Sequence, residues 1–316
     1  MPEYRFDPIQ HQKKKMTTSR VTFFRARIYA ILTAIFAICL FSGRTQAQYS
    51  EFGLGLGFST YWGDLNAPSV TNNLLNCSGL AIQGHYRRMM GDNLGFRVSL
   101  GYGRIRAKDS NSDQEWQKIR NLSFKSPVID LSLTGEYYPF GFNPEPGYSI
   151  IAPYISAGLS AFRFDPSTEY QGNSIRLQPL GTEGQGLPGF PAKYSLTNFG
   201  LAFGGGTKII LTETLNIGLE VLMRRTFTDY MDDISTIYVN YDDLSAGNGT
   251  LAANLSNRMN EYLGQEEPVQ LATGSVRGSA KVKDYYMFSM VSLNFILTDR
   301  KGKKRFGKSK VVCPTF

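Results

Sequence analysis

The chain has 316 residues, a length that fits one large domain or two small ones. Hydrophobic residues make up 42% and aromatic residues 13%, whereas only 19% are charged. A slightly negative mean hydropathy of -0.23 excludes a polytopic helical membrane protein, and the aromatic content excludes a disordered or collagen-like chain. Because the chain has two histidines, His-based catalysis and a His-rich metal site are disfavoured, and we expect no cofactor.

Residues 1–47 have the order of a secretory signal. Lys13, Lys14 and Lys15 precede an apolar run of 14 residues, 28–41, and small residues follow as far as Ala47. A basic segment, a short apolar run and a small residue at the cleavage site are typical of such signals. A transmembrane helix needs about 20 apolar residues. We therefore expect a signal peptide that is cleaved after Ala47.

Removal of this segment, which holds eight basic and two acidic residues, lowers the formal charge from +8 to +2. The remaining excess of basic residues lies in the last 19 residues, 298–316, which we call the basic tail. Binding of nucleic acid through the body of the protein is therefore disfavoured. The tail is expected either to be a solvated end or to dock on a partner. Its candidate contacts are Arg300, Lys301, Lys303, Lys304 and Arg305.

Two cysteines follow the expected cleavage site, Cys77 and Cys313. They are too few for a disulfide scaffold and wrongly spaced for a zinc site.

Between the two ends, apolar residues recur with a period of two, which indicates strands. In the first segment Phe52, Leu54 and Leu56 alternate with glycines. Eight segments show this pattern, and they are long for a soluble sandwich but suited to crossing a membrane. The predicted strands are 49–61, 80–90, 95–107, 127–138, 150–165, 197–211, 215–226 and 284–297.

The connections between these strands alternate in length. Three are short, at residues 91–94, 139–149 and 212–214, and the four between them run from 18 to 57 residues. Short turns on one side and long loops on the other are typical of outer-membrane barrels. Residues 48–297 are therefore predicted to form an all-β, eight-stranded antiparallel transmembrane barrel. Its long loops would be extracellular, and its turns and both termini periplasmic. The alternative is a soluble two-sheet sandwich.

Several aromatic residues lie at or near the predicted strand ends, where girdles at the two membrane interfaces would explain them. They are Tyr61, Trp62, Tyr86, Tyr102, Tyr137, Tyr138, Tyr285 and Tyr286.

Ionisable residues occupy inward positions of the predicted strands. The interior of an eight-stranded barrel is only just wide enough for side chains, so we expect a paired-charge network and no open pore. Its predicted members are Arg87, Arg97, Asp130, Glu136, Glu220 and Arg224, and His85 and Lys208 also point inward. A few barrels of this size are lipid-modifying enzymes with a Ser and a His at the outer rim. His85, halfway along its strand, does not fit that position.

The first strand and its exit, Gly53–Asn66, resemble the opening of a Bacteroidota family of outer-membrane barrels, the DUF6089 type. The last strand, Asp284–Leu297, is similar to the way that family ends. The resemblance implies a non-enzymatic barrel that contacts the outer-membrane bilayer and the periplasmic ring proteins of the type IX secretion and gliding machinery. The alternative is a structural or adhesive surface barrel whose long loops bind external ligands. A lipid-modifying barrel enzyme is the weakest of the three interpretations.

Overall fold

The computed structural model describes residues 49–65, 70–144 and 149–297. The expected signal peptide and the basic tail, with Cys313, lie outside the described residues. Eight long strands and one short hairpin, β6–β7, make up the sheet. The strands are β1 (Ser50–Trp62), β2 (Ser78–Met90), β3 (Leu94–Lys108), β4 (Ser123–Tyr137), β5 (Ile151–Phe164), β6 (Ser167–Tyr170), β7 (Asn173–Arg176), β8 (Thr197–Thr212), β9 (Leu215–Thr226) and β10 (Tyr285–Leu297).

The eight long strands close into an antiparallel barrel. Each pairs with the next long strand along the chain, and β1 pairs with β10 from Ser50↔Leu297 to Trp62↔Tyr285. The predicted fold class is therefore confirmed, and the alternative of two packed sheets is wrong. Most predicted strand ends differ from the observed ones by one or two residues. The largest difference is in β4, which begins at Ser123 because its pairing with β3 continues to Lys108.

Buried inward residues and exposed outward residues alternate along the strands of the barrel. In β3 every second residue is buried over all 15 positions. The outward residues are mostly large and apolar, and Leu56 and Leu80 expose 68% and 74% of their surface. An apolar exterior around a closed barrel with a polar interior is the arrangement of a membrane-spanning barrel.

Strand β1 contains five residues, Gly53 to Gly57, in which glycine alternates with leucine. A Cβ at Gly57 would overlap the carbonyl oxygen of Ser289, and one at Gly53 would overlap the His85 ring. These glycines therefore let β10 and the filled interior approach the strand closely.

The expected aromatic girdles are correct for only some of the residues. Tyr86, Tyr102 and Tyr137 face outward. Tyr138 lies fully buried inside the barrel, as do Tyr61 and Tyr286, so the prediction for these three is wrong. Successive side chains of a strand point to opposite faces, and therefore both members of an adjacent pair such as Tyr137 and Tyr138 cannot reach the lipid.

The four long loops carry short helices and the β6–β7 hairpin and fold over one end of the barrel. We call this end the mouth and its covering the cap. Among the described residues no helix is long and apolar enough to cross a membrane. The cap has an apolar core of its own around Val239, Leu244, Ala252 and Ala253. The helices are α1 (Val70–Asn76), α2 (Glu115–Arg120), α3 (Tyr241–Asn248), α4 (Thr250–Ser256) and α5 (Met259–Leu263).

Candidate functional site: the filled lumen and its cap

The half of the lumen nearer the short turns contains a continuous chain of ion pairs. Three cations and three anions alternate along it, so that the charges sum to zero, and each residue exposes at most 7% of its surface. The order of contact is Lys208, Glu51, Arg87, Glu136, Arg97 and Glu220.

Arg87 and Arg97 hold the centre of this chain. The guanidinium of Arg87 lies 2.6 Å from Glu51 Oε2 through Nη1 and 2.6 Å from Glu136 Oε2 through Nε. Arg97 Nε lies 3.2 Å from Glu136 Oε1, and its Nη1 contacts Glu220. Lys208 Nζ lies 2.6 Å from Glu51 Oε2. Glu51 and Glu136 are each shared between two cations, Glu220 pairs with Arg97, and the chain links strands on opposite sides of the barrel.

Neutral donors add a hydrogen bond to each of the three carboxylates. Tyr138 donates to Glu136 Oε2 at 2.6 Å, and Tyr154 donates to Glu220 Oε2 at 2.8 Å. Asn216 Nδ2 donates to Glu51 Oε1 at 3.0 Å. Buried ion pairs offset the cost of leaving water only when further hydrogen bonds satisfy their remaining lone pairs. These donors provide one such bond to each carboxylate, whereas Glu136 Oε1 and Arg97 Nη2 have no hydrogen-bond partner within the described part of the chain.

A second neutral pair lies nearer the mouth. Arg224 Nη2 is 3.1 Å from Asp130 Oδ1, and its guanidinium carbon lies 4.5 Å from the centroid of the Phe288 ring. Ser132 donates to Asp130 Oδ1 at 2.5 Å, and Tyr286 donates to Asp130 Oδ2 at 2.6 Å. This carboxylate, like those of the first chain, therefore has both a cation and hydroxyl partners.

Apolar layers cover both ends of the charged region. At the turn end, Phe142 packs with Tyr49, Tyr138 and Met89. Lys208 Nζ lies 4.0 Å from the centroid of the Phe142 ring. At the mouth, the buried layer is built from Tyr61, Ile105, Phe124, Phe162, Phe164 and Phe288. Along the lumen, an apolar layer, the charged region and a second apolar layer therefore follow in this order from the turn end to the mouth.

The structure places all six residues of the predicted charge network inside the barrel and divides them into two groups. Arg87, Arg97, Glu136 and Glu220 belong to the long chain, whereas Asp130 and Arg224 form the pair near the mouth.

Sequence reasoning omitted two members of the long chain. Lys208 was assigned inward but not to the network. Glu51 was overlooked, although it shares the inward face of β1 with Gly53 and Gly55. His85 is buried in the middle of β2, and its Nε2 has no hydrogen-bond partner within the described part of the chain. A serine nucleophile needs its base within hydrogen-bond reach. The geometry at His85 Nε2 does not provide this.

Two buried arginines tie the four loops of the cap together. Arg120 binds both oxygens of Asp109 at 2.8 Å and donates to the backbone oxygens of Asp64 and Arg277. Arg277 lies 3.0 Å from Glu183 Oε1. The ion pair between Arg277 and Glu183 joins the fourth loop to the third. Arg120, in the second loop, joins the fourth loop to the first. The cap is therefore an ordered structure rather than a set of independent loops.

Five aspartates of the fourth loop differ in their exposure. Asp242 and Asp243 are exposed, but Asp229, Asp232 and Asp233 expose at most 3% of their surface. Asp229 accepts a hydrogen bond from Ser235, Asp232 contacts the Tyr61 hydroxyl, and Asp233 lies beside Arg277. A long loop that folds back can therefore bury residues that its polar composition would place in water.

One tyrosine connects the barrel wall to the cap through two buried carboxyl groups. The Tyr61 hydroxyl lies 2.7 Å from Asp232 Oδ2 and 2.8 Å from Asp284 Oδ1. One hydroxyl donates only one proton, so one carboxyl must carry a proton and donate to the tyrosine oxygen. The other Asp284 oxygen accepts from the Met231 backbone N–H at 2.8 Å.

Four buried aspartates of the cap have raised pKa values. Burial, reinforced by neighbouring carboxylates that include Asp64, raises the pKa of Asp232 and of Asp284 well above the usual range. Burial raises the pKa of Asp229 to about 7. Burial also raises the pKa of Asp233 to about 6, against the opposing effect of Arg277. Within the part of the chain that the structure describes, no group of three or more His, Cys, Asp or Glu residues could hold a metal ion.

Comparison with known sequences gives one family match. The model "Domain of unknown function (DUF6089)" matches residues 29–178, which include β1 to β5. This agrees with the resemblance of the first strand to that family. The last strand lies outside the matched stretch. No curated protein sequence matches the chain.

Comparison with solved structures gives eight-stranded outer-membrane barrels at low similarity. Neisserial surface protein A is 10% identical with a TM-score of 0.38, covering 79% of this chain and 99% of its own. OprG from Pseudomonas aeruginosa is 11% identical with a TM-score of 0.38, covering 80% and 98%. The outer membrane enzyme PagL is 12% identical with a TM-score of 0.27, covering 79% and 99%. None of these similarities bears on function.

The central position of Glu136 predicts that its charge stabilises the barrel. Substitution of Glu136→Gln leaves Arg87 and Arg97 buried with too few anions, and loss of one partner of a buried pair typically costs about 3–5 kcal/mol. We expect a matching fall in the free energy of unfolding, measured by urea titration of the barrel in lipid vesicles. The control is Glu169→Gln, which removes an exposed pair with Lys125 and should leave the midpoint unchanged. Equal midpoints for Glu136→Gln and the parent would refute the role of the network.

The raised pKa values in the cap predict that its closure depends on pH. A carboxyl whose pKa is higher in the folded state stabilises that state most at pH values below its pKa in the unfolded chain, about 4. This stabilisation is lost as the pH rises toward and through its pKa in the folded protein. We therefore expect the cap to loosen as the pH rises from about 4 through about 7. Hydrogen exchange at the Met231 and Ile234 amides, corrected for intrinsic rates, should be faster at pH 8 than at pH 5. Asp284→Asn should reduce the difference, and equal corrected rates in the parent would contradict the assignment.

Proposed function

We propose that this chain is a sealed outer-membrane barrel that acts as a non-enzymatic anchor, with its functional surfaces at its two ends. The observation that carries the proposal is the filled lumen. Neutral ion pairs cross it in two layers, and apolar layers cover them on both sides. A barrel packed in this way offers no path for a solute.

The exterior of the barrel supports a place in a bilayer. On β3 five successive outward residues are apolar, from Leu94 to Tyr102. Nine residues extend about 27 Å along a strand, and a tilt of 35–45° reduces this height to about 21 Å. That height is close to the band of about 25 Å found in outer-membrane barrels. The signal expected at residues 1–47 supports export to that membrane.

The orientation follows from the two kinds of connection. Ser50 pairs with Leu297, so both ends of the barrel lie on the side of the short turns. Short turns are periplasmic in barrels of this class. We therefore assign the cap to the outside of the cell and the basic tail to the periplasm.

The finer part of the proposal concerns the partner. The resemblance of Gly53–Asn66 and Asp284–Leu297 to the DUF6089 type, together with the family match over residues 29–178, supports a PorG-like component of the type IX secretion system. In this role the barrel anchors periplasmic ring proteins to the outer membrane. The basic tail and the turn beginning at Phe140 are the surfaces on the correct side.

A structural or adhesive surface barrel is the second candidate, and the ordered cap favours it. Arg120 and Arg277 fix four loops in one arrangement, which suits a surface that binds an external ligand. A lipid-modifying enzyme receives no comparable support, because His85 exposes only 5% of its surface and lies inside the barrel.

A pulldown in mild detergent, analysed by mass spectrometry, tests the partner. Lys301, Lys303, Lys304 and Arg305 are changed together to Gln. We expect lower recovery of periplasmic ring proteins with an intact heat-modifiable barrel band, because exposed charges act only as a cluster. The matched control changes four cap lysines to Gln: Lys118, Lys193, Lys281 and Lys283. It should recover the same proteins as the parent.

Two results would contradict this account. If the tail variant recovers periplasmic proteins as well as the parent, the docking role of the tail is wrong. If the parent recovers surface polysaccharide or matrix instead of periplasmic proteins, the adhesive candidate replaces the anchor.

A further inference from the structure

Outward-facing cations gather at the mouth end of one side of the barrel. Arg104, Arg106 and Lys108 follow one another on the exposed face of β3, Lys125 lies beside them on β4, and Arg163 ends the outward face of β5. We call these five residues the basic face. On the other side of the barrel, the ends of β10, β1 and β2 carry no cation at outward positions near the mouth.

The strand register brings like charges together on this face. Arg106 is directly opposite Lys125, and Arg104 is opposite Pro127. Residues opposite each other in an antiparallel pair have Cβ atoms about 5 Å apart, and like charges there are destabilising. The sheet therefore retains an unfavourable juxtaposition, which an external anion would relieve.

Few carboxylates neutralise the basic face from within the protein. Lys125 Nζ lies 2.9 Å from Glu169 Oε1. Among the described residues, Arg104, Arg106, Lys108 and Arg163 form no salt bridge. Four positive charges are thus left on a patch that spans three adjacent strands.

On β3 and β4 the basic face begins where the apolar band ends, and on β5 Arg163 lies opposite Ile129 at the edge of that band. On β3 the outward residues below Arg104 are Tyr102 and Leu100, and on β4 those below Pro127 are Ile129 and Leu131. In a bilayer this level is that of the lipid headgroups rather than the bulk solvent. A ligand held there can keep its chains against the barrel wall.

We infer that the basic face binds the headgroup of a lipid of the outer leaflet that carries at least two phosphate groups. A phosphomonoester has a charge of about -1.5 to -2 at neutral pH, so two of them balance four cations. The fork of an arginine matches phosphate in bidentate hydrogen bonds, which suits a face with three arginines. This inference rests on the proposed residence in the outer membrane.

Binding of lipid A with two phosphates tests the inference. The full chain, folded in zwitterionic detergent micelles, is titrated with this lipid, and retained lipid is measured by native mass spectrometry. The test variant carries Arg104→Gln, Arg106→Gln and Arg163→Gln. Because it loses three charge-assisted contacts, we expect its affinity to fall by about tenfold or more. The control carries Arg88→Gln, Lys193→Gln and Lys281→Gln, an equal charge change at exposed positions outside the basic face, and should bind like the parent.

Four results would overturn the inference: equal binding by the parent and the test variant, equal loss in the control, equal retention of dephosphorylated lipid A, or displacement by millimolar inorganic phosphate. A heat-modifiable band for every variant shows that the barrel is folded. Failure of the parent to insert into vesicles would refute the proposed membrane residence. Insertion without preference for the phosphorylated lipid would refute only the binding inference.

Discussion

Charge neutrality inside a narrow, closed wall is the constraint on which this structure depends. A charge that leaves water without a partner costs several kcal/mol, and an eight-stranded barrel has no room for a solvated one. The chain meets this constraint by alternation. Each carboxylate from Glu51 to Glu220 lies between cations or between a cation and a hydroxyl or amide donor. Because the network links β1, β2, β3, β4, β8 and β9, the same bonds fix the cross-section of the barrel.

Outside the filled interior, the wall, its edge near the mouth and the cap each have their own chemistry. The wall is apolar and suits lipid chains, and the outward edge near the mouth is basic on one side. In the cap, as in the lumen, buried arginines, Arg120 and Arg277, pair with carboxylates. The cap also buries Asp232 and Asp284 against Tyr61, and there the carboxyl groups outnumber the cations. Protons must make up the difference there. The stability of the cap is therefore expected to depend on pH.

The sequence was sufficient to predict the barrel because its signals are local. A period of two identifies each strand, and the lengths of the connections separate turns from loops. Partners within the lumen were not predictable in this way. Arg97 meets Glu220, 123 residues further along the chain, because of the barrel's closure and strand stagger, which no local pattern encodes. The buried loop carboxyls could not be predicted for the same reason, since the contact between Tyr61 and Asp284 spans 223 residues. Glu51 and the inward tyrosines are exceptions, because the alternation of side chains along their strands was readable from the sequence.

Ion conductance across a planar bilayer tests the central claim, that the lumen is sealed, most directly. With the purified full chain inserted, the account predicts no conductance steps above those of the bare bilayer at neutral pH, because the ion pairs of Arg87, Arg97 and Arg224 occupy the cross-section at two levels. Insertion is verified independently by the heat-modifiable band of protein recovered from the membrane. Reproducible steps of defined size from the inserted parent would contradict the account.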